Sequence, residues 1–129
     1  MDETLRRNGE AVRRRVLGDD YVDRAMTQAD GFSAPLQDLV NEYCWGTVWT
    51  DDGLDLKQRS LLNLGMLAAS NRMHEFGLHF RGAIRNGLTE KELQAALLQI
   101  AVYCGVPTGV EAFRVARAVR AEMAGQDTN

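Results

Sequence analysis

Three side chains with acid–base and anion-binding chemistry share one face of a predicted helix: Arg72, Glu75 and His79. Their spacings of three and four residues place neighbouring members of the set about one helical turn apart. A carboxylate one turn before a histidine can orient the imidazole, fix its tautomer and raise its pKa. The set therefore suits proton transfer beside a bound carboxylate. A core histidine satisfied by its neighbouring glutamate is the alternative interpretation.

The remaining histidine, cysteine and tryptophan side chains fit other chemistries less well. His74 and His79 are off the helical register that shared metal ligation needs, so no metal site is predicted. Cys104 ends a predicted helix, where the dipole disfavours a thiolate, so a buried structural thiol is expected there. Trp45 and Trp49 have the spacing of core or interface packing. No glycine pattern resembles a phosphate-binding loop.

The overall composition is that of an ordinary globular protein with an acidic balance. The 129 residues are 45% hydrophobic and 26% charged, with a net charge of −3. This balance argues against nucleic acid as a partner, because phosphate binding needs clustered lysine and arginine. No apolar run is long enough to span a bilayer, and the charged first ten residues lack the apolar segment of a secretory signal. We therefore expect a cytoplasmic protein with two reduced cysteines and no membrane partner.

The elements that must position the candidate side chains lie in the second half of the chain. The helix carrying them is predicted from about Arg72 to Asn86, with Gly87 as a left-handed stop. A capping box, Thr89-Glu90-Lys91-Glu92, opens the next helix, which should stop near Gly105-Val106-Pro107. A last helix is predicted from about Thr108 to Met123.

The first half of the chain also has helical patterns. A charged, lightly apolar helix is predicted over Asp2–Leu17 and a short helical piece over Tyr21–Gln28. Ser33 is a predicted N-cap of a helix that ends in Cys44–Trp49, and Asp55 opens a buried helix reaching about Ser70. No strand-like alternation of useful length occurs. The sequence thus predicts an all-α fold of about six helices in one domain, residues 1–129.

The order of short motifs is more specific than any single helix pattern. The motifs are Val12-Arg13-Arg14, Val16-Leu17-Gly18-Asp19, Tyr43-Cys44-Trp45-Gly46-Thr47-Val48-Trp49-Thr50, Arg59-Ser60-Leu61-Leu62, Ala69-Ser70-Asn71-Arg72, Glu75, Leu78-His79-Phe80-Arg81, Asn86-Gly87-Leu88-Thr89 and Tyr103-Cys104-Gly105-Val106-Pro107. In this order and spacing, from about Leu5 to Glu122, the chain resembles the γ-carboxymuconolactone decarboxylases. These enzymes belong to the wider carboxymuconolactone decarboxylase and alkylhydroperoxidase D-like superfamily.

The resemblance implies a fold, a reaction and a form of assembly. It implies an alkylhydroperoxidase D-like helical fold that forms a homo-oligomer, a trimer or a hexamer. It also implies decarboxylation of a small-molecule lactone, 4-carboxymuconolactone, to 3-oxoadipate enol-lactone in protocatechuate catabolism, with no cofactor. Peroxidase-like relatives carry a C-x-x-C pair followed by a histidine. Here Arg72 and Glu75 stand in place of the two cysteines, while His79 keeps the histidine position, which counts against a redox role.

The resemblance also suggests roles for individual side chains. Because the substrate carries its own electron sink, the protein must stabilise an enolate-like oxygen and deliver a proton to carbon. His79 is the candidate for that role, with Glu75 orienting and charging it. Arg72 and Arg81 are the candidates for holding substrate carboxylates. The remaining predicted substrate-binding residues are Trp45 and Trp49, which could form an apolar wall, and Tyr103.

Two departures from the family pattern leave the exact substrate open. One is Thr108-Gly109-Val110 after Pro107, and the other is Phe80, where leucine is more usual. The alternatives are a paralogue that decarboxylates another lactone or β-oxo acid in a biosynthetic pathway, a peroxide-handling redox protein, and a non-catalytic binding protein.

Overall fold

The computed structural model describes residues 2–127, and helices are the only regular secondary structure in that range, which confirms the predicted all-α class. Seven α-helices and one π-helix are present there, where about six helices were expected from the apolar periodicity. They are α1 (Glu3–Leu17), α2 (Asp19–Thr27), α3 (Ala34–Leu39), the π-helix (Val40–Trp49), α4 (Leu56–Ala69), α5 (Met73–Arg85), α6 (Glu90–Cys104) and α7 (Val106–Asp127). No helix in this range is long and apolar enough to cross a membrane.

Two compact units divide the chain, the first ending at Leu56 and the second beginning at Lys57. The first unit therefore holds α1 to the π-helix, and the second holds α4 to α7. Each unit has its own cluster of buried apolar side chains. The assignment of the whole chain to one domain stays a prediction.

In the first unit, α1 and the π-helix cross with almost no space between their backbones. A Cβ atom added to Gly9 would overlap the carbonyl oxygen of Asn41 and the backbone of Gly46. A Cβ atom on Gly46 would lie 2.6 Å from the carbonyl oxygen of Leu5. Glycine is thus required on both helices, because any side chain would push them apart. This crossing packs α1 directly against the π-helix of its own unit.

The last ten residues of this helical region, Val40–Trp49, form a π-helix with the wider i→i+5 geometry. The sequence placed the end of this helix in the segment Cys44–Trp49, and the helix ends there, at Trp49. Trp45 and Trp49 lie about one turn apart, and their rings stack with centroids 4.5 Å apart and an interplanar angle of 28°. Both are buried in the core of the first unit with Val16 and Val22. The predicted core packing of the two tryptophans is confirmed.

In the second unit, local stop and start signals set the helix ends as predicted. Gly87 and Gly105 adopt positive φ angles of 96° and 104° after α5 and α6. The Thr89 side chain accepts a hydrogen bond from the Glu92 backbone, and the Glu92 carboxylate accepts one from the Thr89 backbone. Only the last helix differs, since α7 begins at Val106, with Pro107 in its first turn, and continues to Asp127.

The core of the second unit holds the helices that carry the candidate site. Its buried side chains come from all four helices and include Leu64, Phe76, Phe80, Leu97 and Ala112. Phe76 and Phe80 lie on one face of α5 and stack with centroids 6.3 Å apart. Burying this pair fixes the rotation of α5 about its axis, and with it the direction of the neighbouring His79.

Candidate active site

His79 is held on α5 beside the buried phenylalanine face and is itself partly buried. Its Nδ1 atom lies 3.4 Å from the side-chain nitrogen of Asn63 on α4. With the Asn63 amide as donor, Nδ1 accepts and the imidazole proton resides on Nε2. The geometry therefore presents an imidazole whose proton is carried by Nε2.

Burial lowers the pKa of His79 to about 4, although the nearby Glu75 carboxylate acts in the opposite direction. The free-energy cost of removing imidazolium from water is larger than the favourable interaction with a single exposed carboxylate. The sequence predicted that Glu75 would raise this pKa, and that prediction is wrong for the net shift. Glu75 does exert the expected upward effect, but desolvation is larger. At neutral pH the side chain is therefore uncharged.

Asn63 was not among the residues singled out from the sequence. It is the amide in an otherwise apolar run, Leu61 to Leu67, on a helix predicted to be buried. A polar side chain in such a run needs a partner, because burying an unsatisfied amide is costly. That signal could have identified it as a site residue, although only the packing of α4 on α5 shows that His79 is the partner.

Arg72 and Glu75 lie at the start of α5 and are exposed. Arg72 occupies the N-cap position with φ −104° and ψ 68°, one residue before the helix, and Glu75 falls in the first turn. Over residues 2–127, Arg72 forms no ion pair or hydrogen bond through its guanidinium. This arginine is thus available to an anionic ligand, and its catalytic role stays a prediction.

Arg81 has partners within its own unit. Its Nη2 atom lies 2.6 Å from the Glu122 carboxylate of α7, and its Nη1 atom donates to the Gln126 side chain over 3.2 Å. The Arg81 side chain is 15% exposed. The structure therefore gives it a role in joining α5 to α7. Substrate binding by Arg81 stays a prediction, and a substrate carboxylate would have to compete with Glu122.

The three aromatic residues predicted to bind substrate lie in different surroundings. Trp45 and Trp49 are 3% and 6% exposed within the first unit, and Tyr103 on α6 is 83% exposed. The predicted contacts of these residues with substrate remain predictions.

The two departures from the family pattern have packing roles in the second unit. Gly109 of α7 packs directly on α6, since a Cβ atom added to it would lie 2.9 Å from the Ala101 Cα atom. Phe80 is 2% exposed and stacks on Phe76. These positions therefore determine how α5, α6 and α7 fit together.

The two cysteines are unpaired and partly buried. Burial raises the pKa of the Cys44 thiol, which keeps it protonated at neutral pH. Among residues 2–127, no three His, Cys, Asp or Glu side chains are grouped as they would need to be to hold a metal ion.

Comparison with known proteins gives the family. The carboxymuconolactone decarboxylase family pattern matches residues 34–118, about two thirds of the chain. The chain belongs to the carboxymuconolactone decarboxylase family. This match covers α3 to most of α7 and includes every predicted site residue.

Two curated relatives of this chain are decarboxylases with different substrates. The nitrosuccinic acid decarboxylase of Metarhizium robertsii is 50% identical over 117 residues, covering 88% of this chain and 82% of the relative. The 4-carboxymuconolactone decarboxylase of Acinetobacter baylyi is 33% identical over 118 residues, covering 92% and 88%. The family predicted from the motif order is confirmed, while the substrate is not determined by these matches.

Proposed function

We propose that this protein decarboxylates a small acid whose carboxylate-bearing carbon is bonded to an electron sink, and that nitrosuccinate is the first candidate substrate. The partly buried, neutral His79 beside Asn63 is the observation that carries the proposal, because it provides a hydrogen-bond donor for developing negative charge. The 50% identity with a nitrosuccinic acid decarboxylase supports this choice of substrate.

Nitrosuccinate is a four-carbon dicarboxylate with a nitro group on the carbon next to one carboxylate. Breaking the bond between that carbon and its carboxylate releases CO2 and leaves the electron pair on carbon. The pair delocalises into the nitro group, giving a nitronate with negative charge on its oxygens. Protonation of the carbon then gives 3-nitropropanoate. Because the sink is part of the substrate, the reaction as proposed uses no cofactor.

His79 would act as a neutral donor in this scheme. Its Nε2–H donates a hydrogen bond to the nitronate oxygen, where charge develops as CO2 leaves. Donors fixed in a poorly hydrated site stabilise such charge far better than water-exposed donors do. The low pKa of His79 makes imidazolium an unsuitable proton source at neutral pH, so the proton that reaches carbon comes from water near the exposed Glu75.

Arg72 would hold the second carboxylate of the substrate. Guanidinium binds carboxylates through paired hydrogen bonds, and no acid among the side chains described for residues 2–126 occupies this one. It lies one helical turn from Glu75 and two from His79. The carboxylate that leaves needs an apolar, poorly hydrated environment instead, since desolvation favours its departure as neutral CO2.

4-Carboxymuconolactone is the second candidate, favoured by the 33% identity with a decarboxylase of that substrate. Loss of CO2 from the lactone also moves an electron pair onto oxygen, through the ring double bond to the carbonyl. The same donor would stabilise that enolate, so the proposed role of His79 is common to both substrates. This activity in protocatechuate catabolism was the one implied by the motif order.

We also propose that the protein works as a homo-oligomer in the cytoplasm. Several large apolar side chains on α6 and α7 are strongly exposed, a pattern typical of interaction surfaces. They are Leu98, Val102, Tyr103, Val106 and Val110. Sedimentation of the purified protein would test the assembly directly, and a purely monomeric protein at micromolar concentration would contradict it.

The decisive experiment incubates the purified protein with nitrosuccinate and, separately, with 4-carboxymuconolactone. Release of CO2 and formation of product are followed by NMR, and the uncatalysed rate is subtracted. His79→Gln should lower kcat by about 10²–10³-fold, as loss of an oxyanion donor does elsewhere. His74→Gln is the matched control, because His74 is exposed on the same helix. Absence of turnover of both substrates by the folded wild-type protein would refute the proposal.

A further inference from the structure

A cavity of about 210 Å³ opens between α5, α6 and α7 in the second unit. Its apolar lining includes Phe80, Leu93, Leu97 and Ala116, which are themselves largely buried in the core. An apolar cavity of about 150 Å³ is enough to hold benzene, so this one accommodates a six-carbon ring or chain. Its shape and lining suit the apolar body of a small ligand.

Two arginines at the edge of this cavity differ in their partners. Arg120 is paired with Glu90, with 2.9 Å between its Nη2 atom and the carboxylate oxygen. Arg117 also lines the cavity, but it has no ion pair with any acid described between residues 2 and 127. The edge therefore carries one uncompensated positive charge next to an apolar interior. A ligand carboxylate is the complementary group, because guanidinium binds it through two parallel hydrogen bonds.

The cavity is separate from the candidate active site. His79 does not line it, and its imidazole lies next to Asn63 of α4. Phe80 and Ile84, which do line it, point from a different face of α5. The cavity thus cannot be the place where His79 meets the reacting carbon.

We propose that this cavity is a second ligand site, for a small monocarboxylate with an apolar body of about six carbons. The apolar body of the ligand packs against Phe80 and Leu97, and its carboxylate pairs with Arg117. Because His79 does not line the cavity, a ligand bound there acts as an effector. The inference does not depend on the proposed decarboxylase function.

Hexanoate is a suitable probe, with hexan-1-ol as its uncharged counterpart. Binding to the full-length protein at pH 7 is followed through the methyl NMR signals of Ile84, Leu93 and Leu97. Arg117→Gln should weaken hexanoate binding by about tenfold to a hundredfold, the range expected for losing a charged hydrogen-bond partner. Binding of hexan-1-ol should change little.

Two control variants distinguish binding in this cavity from general charge attraction and from binding at the active site. Arg114→Gln removes an exposed arginine of the same helix that does not line the cavity, and hexanoate binding should be unchanged. His79→Gln should also leave binding unchanged, which distinguishes this site from the active site even if the proposed function fails. Equal weakening by Arg114→Gln and Arg117→Gln would overturn the proposal, because it would indicate general charge attraction. The proposal would also be overturned if the wild type bound no hexanoate and sedimentation showed that Arg117→Gln dissociates an oligomer. A second copy of the chain would then be the occupant of the cavity.

Discussion

Asn63 and His79 come from different helices, 16 positions apart, and their side chains meet with 3.4 Å between the amide nitrogen and Nδ1. This contact leaves Nε2 as the protonated nitrogen of a neutral ring. In the proposed decarboxylation, which relies on the substrate as electron sink, the tautomer decides whether the ring offers a donor or an acceptor. Asn63 is therefore a positioning residue for His79.

Replacing Asn63 should reduce turnover without removing substrate binding. Asn63→Leu deletes the donor to Nδ1, and kcat should fall about tenfold while KM changes little, as expected for losing about one hydrogen bond. In Asn63→Asp a carboxylate faces Nδ1, which should move the ring proton to that nitrogen and raise the pKa of His79. The tautomer is measured by ¹⁵N NMR of the imidazole. An unchanged Nε2–H tautomer in Asn63→Asp would show that Asn63 does not set it.

The low pKa of His79 should appear as a pH dependence of stability. The pKa is about 4 in the folded protein and 6.5 for an exposed histidine, so between these values the folded state binds fewer protons than the unfolded state. The contribution of His79 to the free energy of unfolding is therefore fully present above about pH 6.5 and is lost as the pH falls toward 4. Going from pH 7 to 4 should cost the wild type about 3 kcal/mol more than His79→Gln.

Urea unfolding of the two proteins across this pH range measures that difference. Other titrating groups contribute to both proteins and cancel in the comparison. His74→Gln serves as the control, because it removes an exposed imidazole from the same helix. If the free energy of unfolding depended on pH in the same way for wild type and His79→Gln, His79 would titrate at the same pH in the folded and unfolded chain.

The unpaired Arg72 should matter for binding rather than for stability. Arg72→Gln removes the proposed carboxylate partner, so KM for nitrosuccinate should rise by about tenfold or more. Its free energy of unfolding should stay nearly constant, since the guanidinium contacts no acid in the described part of the chain. Arg85→Gln, an exposed arginine at the other end of α5, is the matched control for kinetics. Similar KM values for the two variants would remove Arg72 from the substrate site.

The close crossing of α1 and the π-helix predicts a large difference between two glycine substitutions. Gly9→Ala would force a methyl group into the backbone of the π-helix, and overpacking of this kind should destabilise the first unit by about 3 kcal/mol. Gly31→Ala should change stability by less than about 0.5 kcal/mol, because no atom lies within 4 Å of its added methyl group. Thermal unfolding of both variants checks the prediction. Equal melting temperatures would show that the two helices do not approach this closely in solution.

Local signals in the sequence were sufficient for most helix ends. The capping box at Thr89 and the glycines at 87 and 105 were identified correctly, because each depends on residues within about one turn. The start of α7 was not identified correctly. Pro107 was taken to follow a helix, whereas it lies in the first turn of the next one, where proline is equally compatible.

The sequence by itself determined the helical class, the family and the position of His79 on the same helix as Glu75, with Arg72 at the start of that helix. These follow from apolar periodicity, motif order and spacing, which are properties of neighbouring residues. The tertiary structure decided that burial outweighs Glu75 at His79, that Asn63 faces the ring, and that Arg81 is held by Glu122. Desolvation and contacts between helices depend on how α4, α5 and α7 pack, and no local pattern along the chain encodes those distances.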